Sequence, residues 1–192
     1  TILVGAEYKA HSGTTRPGGG YVFVASGTTW TQQAILEQQN AGYGDWMGTK
    51  ASLSADGNIA LLGASYAQNA AGQDGAGKIY VFTRTGTDWT EAAGRQASNI
   101  GYMDRYGAGA DISSDGRYIL VGAFNEDTTG TNTGMAYLLK APVNRFPHPW
   151  ATSGQRAVIP AVDKSGQRFG YSVGLDQFGK KAVIGAQYGP SL

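Results

Sequence analysis

The sequence predicts an all-β fold built as a repeat array, and three observations carry that expectation. Short apolar runs of strand length alternate with turns rich in glycine, asparagine and aspartate over all 192 residues, which include 30 glycines and no cysteine. One block of four such runs, at residues 48–54, 59–64, 78–84 and 89–93, returns in whole or in part along the rest of the chain. Its landmarks keep their order: a Gly-Ala pair at Gly5, Gly63, Gly122 and Gly185, a tyrosine at Tyr21, Tyr80 and Tyr137, a tryptophan at Trp30, Trp89 and Trp150, and a leading glycine at Gly48, Gly107 and Gly170. A four-strand unit recurring at about 60 residues is the pattern of a β-propeller blade, a unit that buries its apolar faces against its neighbours.

Taken in order, residues 1–46 carry the second, third and fourth runs of one blade, and residues 47–105 a complete blade. Residues 106–168 form another, in which YLLKAPVNRFPHPW replaces the usual third run and turn, and residues 169–192 hold the first two runs of a further blade. Pro142, Pro147 and Pro149 bar a regular central strand and predict a longer, stiffer outer hairpin in that third unit. IALLGA and YILVGA are apolar at nearly every position, as expected of strands covered on both faces, and their closing Gly-Ala lets two backbones approach closely. Trp30 and Trp89 follow Gly-Thr turns and are expected to plug the gaps between blades. The whole is a single array, residues 1–192, of about three blades, an open segment of a larger propeller, since rings close with about four to eight. The first and last runs duplicate the same element and cannot complete one another. The array is therefore expected to continue beyond both ends or to be completed by further chains, and to associate with itself when expressed alone.

Composition narrows the function. A net charge of +1 with 15% charged residues supplies no basic stripe, so nucleic acid is not an expected partner. No apolar run approaches the 18 or so residues of a membrane span. Without cysteine, disulfides and thiolate metal sites are excluded.

The combination of YGAGADISSDG and FGYSVGLDQFG, a hydrophobic run closing in Gly-Ala, then G-x-x-Y-V-F and G-T-x-W-T resembles the FG-GAP repeat. More narrowly it resembles the microbial and algal form with the Trp-Thr element, over essentially the whole chain. The resemblance implies an extracellular or cell-surface propeller, typically of seven blades, related to the head of integrin α subunits and used in adhesion and ligand binding. The family's proline after Gly-Ala is replaced here by Glu7, Ser65, Phe124 and Gln187.

Integrin-like members carry a calcium loop of several carboxylates between the first and second strands. The matching segments here, SLSADGNIA, DISSDGRYI and GLDQFGKKA, are short and hold at most two carboxylates, whereas calcium takes about six to eight oxygens. No cofactor is expected, and Asp56-Gly57 and Asp115-Gly116 read as tight turns whose glycine takes positive φ. Catalysis is not expected either. The two histidines, His11 and His148, stand in loop segments without a partner motif, and Asp45 and Asp104 recur at one repeat position, which points to a shared scaffolding role. The expected function is non-catalytic recognition of a protein or glycan. Its candidate residues, in the loops after the second run and before the first, are Tyr8, Tyr43, Trp46, Tyr66, Tyr102, Phe124 and Tyr188. The alternatives are a subunit of a self-assembling fibre or matrix and, more remotely, a hydrolase.

Overall fold

The computed structural model of the chain describes residues 1–10, 16–39, 42, 44–141, 154–161 and 166–188, with residues 154–158 as backbone alone. Among these residues there is no helix, and hence none long and apolar enough to cross a membrane. Four antiparallel sheets follow one another along the chain. The first contains β1 (Ile2–Ala6), β2 (Gly19–Ser26) and β3 (Thr29–Leu36); the second β4 (Met47–Leu53), β5 (Ile59–Ala64), β6 (Lys78–Thr85) and β7 (Asp88–Arg95). The third contains β8 (Tyr106–Ile112), β9 (Tyr118–Ala123), β10 (Met135–Lys140) and β11 (Gly154–Pro160); the fourth β12 (Phe169–Leu175) and β13 (Ala182–Ala186). In each sheet, strands adjacent in sequence are adjacent in space.

Local chemistry explains the elements. The β2–β3 and β6–β7 hairpins turn on two residues with positive φ only at the first, Gly27 (61°) and Gly86 (64°), the φ pattern of a type II′ turn. The turns from β4 to β5 and from β8 to β9 are knotted by one serine and one aspartate each. Ser54 Oγ donates to Asp56 Oδ1 at 2.5 Å while accepting from the Ile59 amide, and Ser113 and Asp115 repeat the arrangement with Tyr118. In the fourth sheet Asp176 stands at the serine position and accepts the Lys180 and Lys181 amides itself.

Burial follows the period of two. In β5, Ala60, Leu62 and Ala64 join Val22 and Leu36 in a core against the first sheet, while Ile59 and Leu61 join Ile119, Val121 and Tyr137 in a core against the third. An apolar residue at nearly every position of IALLGA thus serves two interfaces at once. The sheets come close because glycine meets glycine. A β-carbon at Gly5, Gly63 or Gly122 would overlap the carbonyl oxygen of Gly48, Gly107 or Gly170, the second residue of the first strand in the next sheet.

Successive sheets are also stitched by hydrogen bonds at both ends. At one end the Met47, Tyr106 and Phe169 amides donate, each at 2.9 Å, to the carbonyls of Pro17, Ala76 and Thr133 in the preceding repeat. At the other, Asp111 accepts from Ser52 Oγ of the second sheet (2.7 Å) and from the Leu175 amide of the fourth (2.7 Å), one carboxylate joining three sheets.

Two sequence expectations need correction. The run from Met135 is a central strand, paired with β9 along one edge and, with a register shift between Leu138 and Leu139, with β11 along the other, because the prolines come only after it. Pro142, Pro147, Pro149 and Trp150 lie outside the described residues, as do His11 and His148. Trp30 does not plug a gap: it is 49% exposed, on a first sheet that no sheet precedes among the described residues. Trp89 packs against the core shared by the first and second sheets and donates from Nε1 to Gln33 Oε1 of β3 at 3.1 Å.

Candidate functional site

Antiparallel pairing brings the end of each sheet's second strand beside the beginning of its first, so the loops at these points lie together along one rim. The amides of Tyr66, Asn125 and Tyr188 donate to the carbonyls of Asp45, Asp104 and Gln167 at 3.3, 3.3 and 3.1 Å, joining the two loops in three consecutive sheets. Immediately before each first strand stands a non-glycine residue at positive φ: Trp46 (57°), Arg105 (64°) and Arg168 (56°). That conformation is uncommon for a residue with a β-carbon, and its recurrence at one repeat position marks it as part of the architecture.

At these positions a large flat group is presented to the aromatic rings of the rim. Trp46 meets Tyr8 of the preceding sheet edge-on, with centroids 5.2 Å apart, and lies over Tyr66 of its own sheet at 3.8 Å. One sheet further on, the Arg105 guanidinium carbon sits 3.4 Å from the Tyr66 centroid. At the other end of the row Arg16 lies 5.6 Å from the Tyr8 ring. The result is a row Arg16, Tyr8, Trp46, Tyr66, Arg105 in which rings and guanidinium planes succeed one another. The pattern resumes at Arg168, 5.8 Å from the Phe124 ring and 5.1 Å from Tyr188.

The structure therefore brings Tyr8, Trp46 and Tyr66 into one contact row and links Phe124 to Tyr188 through Arg168. Tyr102 stands apart from the row and is 62% exposed, and Tyr43 lies outside the described residues. The three arginines were not among the candidates. The signal for Arg105 is its recurrence at the position of Trp46; a longer spacing to the next copy obscures Arg168.

Among the described residues, three clefts open along the sheets. One of about 290 Å³ lies beside the row, between Arg16, Trp46, Tyr66 and Asp74. A second, of about 380 Å³, is acidic, with Asp104, Glu126 and Asp127 beside Tyr102 and Asn99. The third, of about 330 Å³, lies between Thr49, Lys50, Ser65, Phe124, Tyr171 and Ser172.

Asp45 and Asp104 are both buried, and each accepts an amide three residues earlier, from Gly42 at 2.8 Å and Gly101 at 2.7 Å. Burial pushes the Asp104 carboxyl up to about 6; the Gly101 amide opposes the shift, and the Glu126 and Asp127 charges add to it. Burial lowers the Arg105 guanidinium below its ordinary range, against the influence of Tyr66 and Tyr102. Its Nη1 has no hydrogen-bond acceptor among the described residues. No group of three or more His, Asp or Glu side chains able to hold a metal ion occurs among the described residues. No family model matches the chain, and no curated protein sequence matches it.

Proposed function

We propose that this chain is part of an extracellular β-propeller of the FG-GAP type, in which each sheet is a blade, and that it recognises a protein or glycan partner without catalysing a reaction. The observation that carries this reading is the rim row itself. Rings and guanidinium groups from successive sheets are gathered on one side of the sheets, where Tyr8 in the row and Tyr188 beside Arg168 are 55% and 52% exposed; Tyr102, apart from the row, is 62% exposed. Rigid amphipathic side chains held on a sheet scaffold suit recognition, since little conformational entropy is lost when a partner covers them. The propeller reading draws on the serial packing of four sheets and on the glycine contacts repeated at each of their three junctions.

The test is an array of glycans and matrix proteins probed with the wild-type chain and with a Tyr8→Ala, Tyr102→Ala, Tyr188→Ala triple variant. All three side chains are exposed, so the variant is expected to fold. Retained ligands that the variant loses support the reading; an empty array, or one unchanged by the variant, overturns it.

A second reading, a subunit of a self-assembling fibre or matrix, is favoured by one observation. The outer face of the first sheet exposes Ile2, Val4 and Ile35, and the fourth sheet exposes Tyr171 and Val183. The same array would then be empty, and microscopy of the purified chain would show filaments or sheets.

A further inference from the structure

Among the described residues, Lys50 is the one charged residue lining the 330 Å³ cleft, whose other walls are the hydroxyl-bearing Thr49, Ser65 and Ser172, Ala108 and the rings of Phe124 and Tyr171. The other two clefts contain carboxylates, at Asp74 and at Asp104, Glu126 and Asp127. Among the described residues the Lys50 ammonium has neither a hydrogen bond nor an ion pair, and its side chain is exposed. A lysine on the wall of a cleft without a counter-charge, its flexible side chain free to swing over the opening, favours an anionic ligand.

The remaining walls define the rest of that ligand. Phe124 and Tyr171 form a corner, their centroids 5.3 Å apart and their planes inclined at 58°, and Tyr171 remains 46% exposed. An aromatic ring of this kind receives the C–H face of a pyranose. Thr49 Oγ1 donates to the Gly63 carbonyl at 3.0 Å, which leaves its lone pairs to accept from a ligand hydroxyl. Ser65 and Ser172 make no hydrogen bond through their hydroxyls among the described residues and are able both to donate and to accept. Hydroxyls and rings, with no side-chain amide, match a polyhydroxylated ring better than a peptide backbone. The volume lies within the range of about 300 to 1,000 Å³ usual for small-ligand sites.

We propose that this cleft, between the first strands of the second, third and fourth sheets, binds a uronate: a pyranose unit stacked on Tyr171 with its carboxylate on Lys50. The proposal rests on the recognition reading above and names its ligand class. The Thr49, Ser65 and Ser172 hydroxyls pair with the sugar hydroxyls, and β4, β8 and β12 hold the site because glycine contacts fix their spacing.

The test measures binding of hexagalacturonate, cellohexaose and hexa-aspartate to the chain immobilised on a sensor surface. Hexagalacturonate is expected to bind, more weakly at about 0.5 M salt, and cellohexaose at least about tenfold less tightly. Lys50→Ala and Tyr171→Ala should each lower the affinity at least about tenfold, while Lys50→Arg keeps most of it. Both side chains are exposed, so loss of fold does not confound the result. Absence of hexagalacturonate binding, equal binding of cellohexaose, equal binding of hexa-aspartate, or an unchanged Lys50→Ala variant overturns the assignment. If the array ligands are lost in the tyrosine triple variant but bound normally by Lys50→Ala, the cleft falls and the rim reading stands.

Discussion

Gly63 faces the carbonyl oxygen of Gly107 so closely that a β-carbon at Gly63 would overlap it. Gly107 itself holds a φ of 88°, a conformation that favours glycine, at the register shift where β8 pairs with β9. The same pair of glycines, one in a second strand and one in the following first strand, recurs at Gly5 with Gly48 and at Gly122 with Gly170. The distance between sheets is thus set by backbone meeting backbone, and the large apolar side chains fill the space to either side of that contact.

Gly63→Ala is accordingly expected to destabilise the chain by about 3 kcal/mol, because the obstacle is main chain and cannot rotate away. Gly174→Ala serves as the control. Nothing lies within 4 Å of a β-carbon there, and the substitution should be neutral within about 0.5 kcal/mol. Urea denaturation of the two variants makes the comparison; equal midpoints would show that the glycine contact does not control the spacing.

Most strands and the close backbone approach at each Gly-Ala were legible in the sequence because they follow from local pattern; the strand from Met135 was not, since the prolines after it masked it, and neither was the glycine that each Gly-Ala meets. IALLGA reads as a strand covered on both faces, and the residues facing each neighbour separate at a period of two. The rim was only partly legible. Tyr8 and Tyr66 declare themselves by each standing two residues after the alanine of its own Gly-Ala pair, but the stack between them depends on Trp46 at positive φ, which no residue propensity announces. Arg105 as a stacking partner and Lys50 as the charge of a cleft depend on side chains from different sheets meeting. Trp30 misled because its sequence context matches that of Trp89 while its surroundings do not: Gln33 of the first sheet accepts from Trp89, and among the described residues no equivalent group covers Trp30.

That contrast gives a second prediction. Trp89→Ala removes a partly buried indole, its hydrogen bond to Gln33 and its contact with the Arg84 guanidinium 5.5 Å away, and should cost about 2 kcal/mol, less than a fully buried tryptophan. Trp30→Ala should cost under about 0.5 kcal/mol. Thermal denaturation of both variants measures the difference, and a Trp30 effect equal to that of Trp89 would contradict the placement of Trp30 on an open face.

Asp104 predicts a pH dependence. Its carboxyl holds a proton up to about pH 6 in the folded chain, against an ordinary value of 3.8. Between these values the folded state binds more protons than the unfolded one, so this group makes stability fall as pH rises through the window. Asp104→Asn keeps an acceptor for the Gly101 amide and removes the buried charge. The variant should be more stable than wild type by about 1 to 3 kcal/mol at pH 7.5, an advantage that disappears near pH 3.5. Melting curves at the two pH values test this, and a variant less stable than wild type at pH 7.5 would show that the charge is used within the fold.

Chelation should leave the melting temperature unchanged. Asp56 Oδ1 accepts from Ser54 Oγ and the Asn58 amide, and Oδ2 from Asn58 Nδ2. Burial pushes this carboxyl up, but these hydrogen bonds and the Arg84 charge outweigh burial and leave it below its ordinary range. Oxygens so engaged are poor candidates for the six to eight ligands, roughly, that calcium takes. A fall of several degrees with EDTA, reversed by added calcium, would show that the turns bind metal.

The last prediction concerns the two outer faces. Ile2 and Val4 occupy the repeat positions at which Ala60 and Leu62 are fully buried against the sheet before them, yet they are 41% and 46% exposed. Val183, at the position of the fully buried Leu120, is 76% exposed. These side chains are apolar where the repeat normally meets another sheet, and among the described residues β12 and β13 form a two-stranded sheet. Exposed apolar sheet faces favour association, since covering them removes about 25 cal/mol for each Å² of apolar surface taken from water. The 192-residue chain should therefore associate at micromolar concentration, and Val4→Lys with Val183→Lys should shift it toward monomer without unfolding it, since both residues are exposed. Light scattering across a concentration series distinguishes the outcomes: a wild-type chain that stays monomeric throughout, with a cooperative melt, would show that these faces are stable in water.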